Sequence, residues 1–113
     1  MYKEAQSLNM FAEFHSSFNH PIKNSPEIPS PKRSELRVNL INEELNELRD
    51  GINNKDIVEI ADALCDIQYV LSGAILEFGL ADKFSELFNE VQRSNMSKAC
   101  KTLQEAIDSV EFY

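Results

Sequence analysis

The sequence has little glycine and no sustained alternation of apolar and polar residues. Only 3 of its 113 residues are glycine, and its apolar residues recur mostly three or four positions apart. Alternation is typical of half-buried strands, whereas this spacing is typical of amphipathic helices. The pattern therefore predicts an all-α chain. A hydrophobic content of 42% suffices for one modest core, which predicts a single domain over residues 1–113.

Long apolar segments and paired cysteines are also missing. The stretch "YVLSGAILEFGLA" is too short to span a membrane and is interrupted by Glu77. The start, "MYKEAQSLNMF", has no apolar segment behind a basic head, so we expect no signal peptide, no membrane partner and a cytoplasmic location. Cys65 and Cys100 are far apart and form no CxxC, which favours free thiols over a disulfide or a zinc site.

Positive charge is scarce. The chain has 11 Lys and Arg against 19 Asp and Glu, for a formal net charge of -8. Such a balance opposes unaided binding to nucleic acid or to an anionic membrane. An anionic ligand would therefore have to bring cations with it.

The apolar spacing predicts five helices. The first covers about residues 3–18, and a loop, "HPIKNSPEIPSP", follows it. The second runs from near Ser34 to Gly51, and the third runs from about Asp56 to Phe78 and is ended by Gly79. A polar break, "RSNMSK", separates the last two, whose stripes are Phe84, Leu87, Phe88 and Val91, then Leu103, Ala106, Ile107 and Val110. The last pattern still runs at the end, so we expect the protein to continue or this end to pack on another subunit.

Acidic residues lie where these helices would normally bury apolar side chains. At about 100° per residue, Glu59, Asp62 and Asp66 share an arc of about 60° on the third helix. Tyr69 lies beside them. On the second helix Glu44 and Glu47 are flanked by leucines of the core face, with Glu43 at its edge. The acids thus form one narrow stripe on each of two consecutive helices.

The short connection between these two helices predicts an antiparallel hairpin. Counting outward from the turn places Glu47 opposite Glu59. One turn further out, the same count places Glu44 opposite Asp62. Four carboxylates are therefore expected to meet at matching heights.

Four converging carboxylates cannot all stay charged and unpaired. Two unit charges 4 Å apart cost about 4 kcal/mol at an effective dielectric near 20, against a domain stability of about 5–15 kcal/mol. They must share protons, find basic partners or bind metal, and Arg37 supplies only one nearby cation. Oxygen ligands favour Mg²⁺ or Mn²⁺ over zinc. The alternative is that these acids form ordinary solvated helix faces.

The segments "EELNE" and "EIAD" resemble the EExxE…ExxD signature of the all-α nucleoside triphosphate pyrophosphohydrolases. That superfamily includes MazG-like proteins, dimeric dUTPases and phosphoribosyl-ATP pyrophosphatases. The segments "ADALCDIQYVLSGAILEFG" and "FNEVQRSNMSK" are similar to the longer helix and the Asn/Lys-bearing segment of a MazG-like branch. The resemblance covers most of the chain from about residue 11 to 113.

This resemblance implies Mg²⁺-dependent hydrolysis of a nucleoside triphosphate to the monophosphate and pyrophosphate, with Mn²⁺ as a possible substitute. It also implies roles for five residues. Glu43 would orient or deprotonate the attacking water. The metal ligands would be Glu44, Glu47, Glu59 and Asp62.

Further residues receive roles with an alternative for each. Asp66 is either a hydrogen-bond partner of a metal-bound water or another ligand, and we favour the former. Tyr69 is expected to line the pocket, although it could be ordinary core. His15 and Phe18 could hold the base, but a Phe at helical spacing is more often core.

The polar break supplies two more candidates for substrate binding, Asn95 and Lys98. Lys98 could reach phosphate, whereas the alternative is a solvated loop. The resemblance favours contact.

One helical layer has too little mass to bury both sides of the third helix. We therefore expect a helical bundle completed by oligomerisation, as a homodimer or a dimer of dimers. Two alternative functions remain open at this point. One is phosphoribosyl-ATP pyrophosphohydrolase, and the other is a non-catalytic helical module that binds metal or a partner.

Overall fold

The computed structural model describes residues 1–18 and 21–111, without the side chains of Phe18, Ala106, Ser109, Val110 and Glu111. This part of the chain contains four helices and no strand. They are α1 (Ser7–Phe18), α2 (Pro31–Asn53), α3 (Ile57–Glu77) and α4 (Ala81–Glu111). The prediction of an all-α chain is confirmed.

By its internal contacts the chain divides into two units, Met1–Asp82 and Lys83–Tyr113. The first unit holds α1, α2 and α3, and α3 packs against both other helices. The second unit holds α4 beyond its first two residues. The single domain over residues 1–113 stays a prediction.

The start of α2 differs from the prediction because a capping residue lies further upstream. α2 begins at Pro31 and not near Ser34, and the hydroxyl oxygen of Ser30 accepts a hydrogen bond from the backbone N–H of Arg33. Serine before the first turn and proline at its first position both favour helix initiation. α1, in contrast, begins later than predicted, at Ser7 and not at residue 3.

Gly51 does not end α2, which continues to Asn53. Gly51 is buried, and a Cβ added there would lie 3.1 Å from the backbone nitrogen of Ile60. The residue therefore allows α2 and α3 to approach closely. The prediction was wrong because glycine serves close packing as well as helix termination.

A tight turn joins α2 to α3. Lys55 has a φ of 54°, and Asp56 caps α3 by accepting hydrogen bonds from the backbone N–H groups of Val58 and Glu59. Gly51 meets Ile60 near the turn, and Arg37 meets Glu77 at the other end. These contacts confirm the antiparallel hairpin.

The C-terminal end of α3 is closed by Gly79, as predicted. Its φ is 72°. Its N–H donates to the carbonyl of Leu76, and the N–H of Leu80 donates to that of Ile75. This pair of hydrogen bonds satisfies carbonyls that a helix end leaves open.

The connecting segment 21–30 also covers this end of α3. The N–H of Lys23 donates to the carbonyl of Leu76, and that of Glu27 donates to the carbonyl of Phe78. A Cβ on Gly79 would lie 1.9 Å from the carbonyl oxygen of Ser25. Position 79 therefore requires glycine for two reasons, its positive φ and the close approach of segment 21–30.

α4 is one continuous helix, which corrects the prediction of two helices with a polar break. "RSNMSK" is polar but contains neither Gly nor Pro, so nothing in it interrupts helical hydrogen bonding. Asn95 and Lys98 lie on this helix and are exposed. At about 100° per residue they share the face that carries Phe84 and Val91.

No single helix in the described ranges is long and apolar enough to span a membrane. α3 taken together with Ala81–Glu105 meets the requirement only as a pair interrupted by a break, and only by length and composition.

A cluster of charged side chains links α2 to α3 at the end of the hairpin farthest from the turn. Glu77 is 1% exposed, and Arg37 is 5% exposed. Arg37 Nε donates to Glu77 Oε1 at 2.6 Å, and Arg33 donates to both carboxylate oxygens at 2.7 and 2.8 Å. Burial acts to raise the pKa of Glu77, but the two guanidinium groups outweigh it and hold that pKa below its usual value.

Candidate functional site

Three carboxylates from α2 and α3 converge in the first unit. Oxygen atoms of Glu44, Glu47 and Asp66 all lie within 4.8 Å of one another. Glu44 and Asp66 are half-buried, whereas Glu47 is exposed. We call these three residues the acid cluster.

The register of the hairpin differs from the predicted one by about one helical turn. Glu44 faces Asp66, where the sequence count placed it opposite Asp62. The turn is centred on Lys55, because α2 runs past Gly51 to Asn53 and α3 starts at Ile57. The count had started from Gly51 and Asp56, whose midpoint lies too early in the chain.

The environment of Glu44 favours a proton. The pKa of Glu44 is raised to about 7, first by burial and then by a hydrogen bond with Glu47. The negative charges of Glu47, Asp66 and Glu43 contribute to the same rise. Without a cation, the acid cluster therefore carries a shared proton near neutral pH.

Asp66 shows the same repulsion. Burial raises its pKa, and the charges of Asp62 and Glu47 raise it further. A hydrogen bond from Glu44 acts in the opposite direction, since a protonated Glu44 donates to the ionised Asp66. Asp62 therefore acts on the cluster through its charge, although its own carboxylate lies outside the group of three.

Glu59 and Glu43 lie at the edges of this region. Glu59 is half-buried beside Gly51, where its Cγ would be 3.3 Å from an added Cβ. Glu43 is exposed and close enough to Glu44 for its charge to raise that residue's pKa. The roles given to Glu59, Asp62 and Glu43 stay predictions.

The acid cluster has the chemistry of a hard-cation site. Glu44 Oε2 is buried and accepts no hydrogen bond from the described residues. Its acidic neighbours can offer it a hydrogen only when one of them is protonated. Arg37, which the sequence offered as a nearby cation, is paired with Glu77. Three carboxylates, one with an unsatisfied buried oxygen, fit Mg²⁺ or Mn²⁺.

An aromatic cluster lies one helical turn from the acids. Tyr69 follows Asp66 by three positions on α3, so the two share a face. The ring of Tyr69 lies 4.6 Å from that of Phe11 and 6.1 Å from that of Phe14, measured between centroids. Phe11 is buried, whereas Tyr69 and Phe14 are 38% and 40% exposed. We call the exposed pair, Tyr69 and Phe14, the aromatic platform.

His15 supports this platform from within the core. It is 2% exposed, and its ring centroid lies 4.0 Å from that of Phe11. The substrate contact predicted for His15 stays a prediction. The side chain of Phe18 lies outside the described part of the chain. Asn95 and Lys98 belong to the second unit, and their predicted contact with phosphate is also untested.

Sequence reasoning gave no site role to Phe11 or Phe14. Their spacing of three positions indicates only that they share one face of α1. Their proximity to Tyr69 joins residues more than 50 positions apart, and periodicity within one helix cannot reveal it. Asp66 was visible on the acid stripe, but its place among the converging carboxylates required the correct register.

Two comparisons with known proteins bear on this site. The sequence model of the family described as phosphoribosyl-ATP pyrophosphohydrolase matches residues 11–95. An uncharacterized protein of Acanthamoeba polyphaga mimivirus is 34% identical over 82 residues, which are 69% of this chain and 33% of that protein. The chain thus spans about a third of the length of this curated relative. The family match includes α2, α3, the acid cluster and the aromatic platform.

Proposed function

Since the chain belongs to the phosphoribosyl-ATP pyrophosphohydrolase family, within the MazG-like all-α NTP pyrophosphohydrolase superfamily, we propose that it is a metal-dependent enzyme acting on a nucleoside triphosphate. The products are the monophosphate and pyrophosphate. The observation that carries this proposal is the acid cluster, in which a buried oxygen of Glu44 lacks a partner one turn away from an aromatic surface.

Glu44, Glu47 and Asp66 would hold the cation. Glu59 and Asp62 remain further candidate ligands. When bound, Mg²⁺ neutralises triphosphate charge and lowers the pKa of a bound water. A chain with a formal net charge of -8 could in this way accept an anionic substrate.

The chain's own residues divide the remaining work. Glu43, exposed at the edge of the cluster, takes the proton of the water that attacks the α phosphorus. The bond from that phosphorus to the bridging oxygen breaks, and pyrophosphate leaves. The aromatic platform stacks on the base, because an aromatic face binds any base by its π surface.

The second candidate substrate is phosphoribosyl-ATP, which the description of the matched family favours. Its additional phosphate, carried on a ribose attached to the base, would need a cation on the base side of the site. Arg37 lies beside Phe11, but it is already paired with Glu77. We therefore place a simple nucleoside triphosphate first.

We also propose that the protein associates with a second copy of itself. Ile57 and Val58 at the tip of the hairpin are 74% and 75% exposed. Leu45 and Leu64, further along the same two helices, are about half exposed. Several exposed apolar side chains on one hairpin favour an interface with another molecule.

The test is pyrophosphate release from the ribo- and deoxyribonucleoside triphosphates and from phosphoribosyl-ATP, with Mg²⁺ and with a chelator. We expect release that requires the metal and is lost in Glu44→Gln. Glu90→Gln is the matched control, because Glu90 lies in an exposed ion pair with Arg93. Metal-induced stabilisation without release from any substrate would favour the non-catalytic module.

A further inference from the structure

Gly73 leaves room for two side chains to lie against the backbone of α3. A Cβ added there would be 2.5 Å from Cζ of Phe11 and 2.7 Å from Nη1 of Arg37. Contacts this short require something to move. The ring of Phe11 and the guanidinium of Arg37 therefore both occupy the space that any other residue at position 73 would fill.

Arg37 is held in place from behind. Its Nε donates to Glu77 Oε1 at 2.6 Å, and Glu77 also receives two hydrogen bonds from Arg33. Both Arg37 and Glu77 are buried. A buried guanidinium held by a carboxylate cannot move away without a large cost in free energy, because movement would leave its own charge buried and unpaired. It thus forms a fixed wall beside Phe11.

Phe11 contacts both rings of the aromatic platform, so its position affects theirs. Its ring lies against Tyr69 at 4.6 Å and against Phe14 at 6.1 Å between centroids. Phe11 itself is buried and offers no surface to a ligand. A shift of its ring would therefore displace the two exposed rings.

We propose that Gly73 and Arg37 are positioning residues for base recognition: together they set the depth of the Phe11 ring, which in turn orients Tyr69 and Phe14. This inference rests on the proposed function, since it takes the aromatic platform as the surface that receives the base. On this proposal Gly73 and Arg37 affect the affinity for the base without contacting the substrate.

The test measures binding and not turnover, so it can succeed or fail independently of catalysis. The Kd values of deoxyadenosine, deoxycytidine, deoxyguanosine and thymidine monophosphates are measured by calorimetry with Mg²⁺, and pyrophosphate serves as the probe without a base. Gly73→Ala should raise the Kd of the best-bound monophosphate about 5- to 10-fold, because stacking depends on ring position. The Kd of pyrophosphate should not change.

Ser72→Ala is the matched control. Ser72 is buried on the same helical turn, and its hydroxyl donates to the carbonyl of Gln68, which is also on α3. This variant should bind both probes as the wild type does. In a Phe11→Leu background, adding Gly73→Ala should raise the Kd less than about 2-fold, because the ring that the new methyl group would hit is missing.

Arg37→Lys adds no volume and keeps the charge opposite Glu77, so it carries the test if Gly73→Ala fails to fold. It should weaken monophosphate binding in the same direction, since lysine lacks the planar guanidinium. Wild-type monophosphate affinity in both variants would overturn the proposal. So would an equal loss of affinity for pyrophosphate, or a wild-type protein that binds none of the four monophosphates.

Discussion

The carboxylate of Glu44 faces that of Asp66 across the hairpin, although the two residues belong to different helices and are separated by the turn at Lys55. Glu47 completes the group. This proximity makes Asp66 a candidate metal ligand. Experiments can therefore distinguish a ligand set that includes Asp66 from the set with Glu59 and Asp62 that the sequence signature implies.

Mg²⁺ or Mn²⁺ should raise the melting temperature of the wild-type protein, because a ligand that binds only the native state stabilises it. Asp66→Asn should remove most of this rise if Asp66 binds the metal. Glu59→Gln and Asp62→Asn test the set implied by the sequence signature. Thermal scans with and without metal give the answer. If the metal raises the melting temperature of Asp66→Asn as much as that of the wild type, Asp66 is not a ligand and at most hydrogen-bonds a metal-bound water.

The metal-free protein should lose stability as the pH rises from about 4.5 to about 7. In this range Glu44 is protonated in the native state, where its pKa is about 7, and ionised in the unfolded state, where it is near 4.5. The native state therefore binds more protons, and the free energy of unfolding falls with rising pH. Glu44→Gln should flatten this dependence in urea titrations with chelator. An unchanged slope would show that Glu44 titrates normally.

The buried ion pairs at the other end of the hairpin should matter more than those on the surface. Glu77→Gln should lower the free energy of unfolding by about 3 kcal/mol or more, because it leaves Arg37 buried beside a neutral group. Glu90→Gln should have no measurable effect. Denaturant unfolding of both variants provides the comparison. Equal stability in the two would mean that Glu77 is not a structural anchor.

Glu77 also predicts a pH dependence of opposite sign to that of Glu44. Because its native pKa is lowered, its stabilisation is present above its ordinary pKa and is lost as the pH falls through the native value. Acid titration of Glu77→Gln should lack this component. A wild-type acid transition in that variant would assign the transition to other carboxylates.

Hydrolysis in ¹⁸O-labelled water should place the label in the nucleoside monophosphate. Attack at the α phosphorus requires this, and the chain has no Gly-rich loop followed by lysine to hold a terminal phosphate. Diphosphates should accordingly be poor substrates. Mass spectrometry of the products measures the label. Its appearance in orthophosphate, with a diphosphate as the other product, would contradict the mechanism.

Light scattering should give a mass above that of one 12.9 kDa chain at micromolar concentration. Val58→Glu should reduce the mass, because it places a charge among the exposed apolar side chains at the tip of the hairpin. Lys55→Glu at the neighbouring turn is a control for charge alone. A monomer mass for the wild type would contradict self-association.

Periodicity was sufficient to predict the helical class, the hairpin and the acid stripes. Each depends on residues close in sequence, where a helix fixes which side chains share a face. Gly79 was also predictable, since a helix end needs a residue that tolerates positive φ.

Three features depended on contacts that local patterns do not encode. The register followed from Gly51, which packs against Ile60 instead of ending the helix. The pairing of Arg37 with Glu77 joins residues 40 positions apart. α4 continues through "RSNMSK" because a polar stretch without Gly or Pro changes which side chains the helix exposes but does not interrupt its backbone hydrogen bonds.

The attachment of segment 21–30 to the end of α3 has a consequence for folding during synthesis. Lys23 and Glu27 donate to carbonyls of Leu76 and Phe78, which emerge from the ribosome about 50 residues later. The ring of Phe11 likewise packs against Gly73 and Tyr69, which are also synthesised later. The hydrogen bonds of Lys23 and Glu27 and the packing of Phe11 on α3 therefore form only after α3 has been made, so we expect α2 and α3 to pair first and the N-terminal segment to dock last.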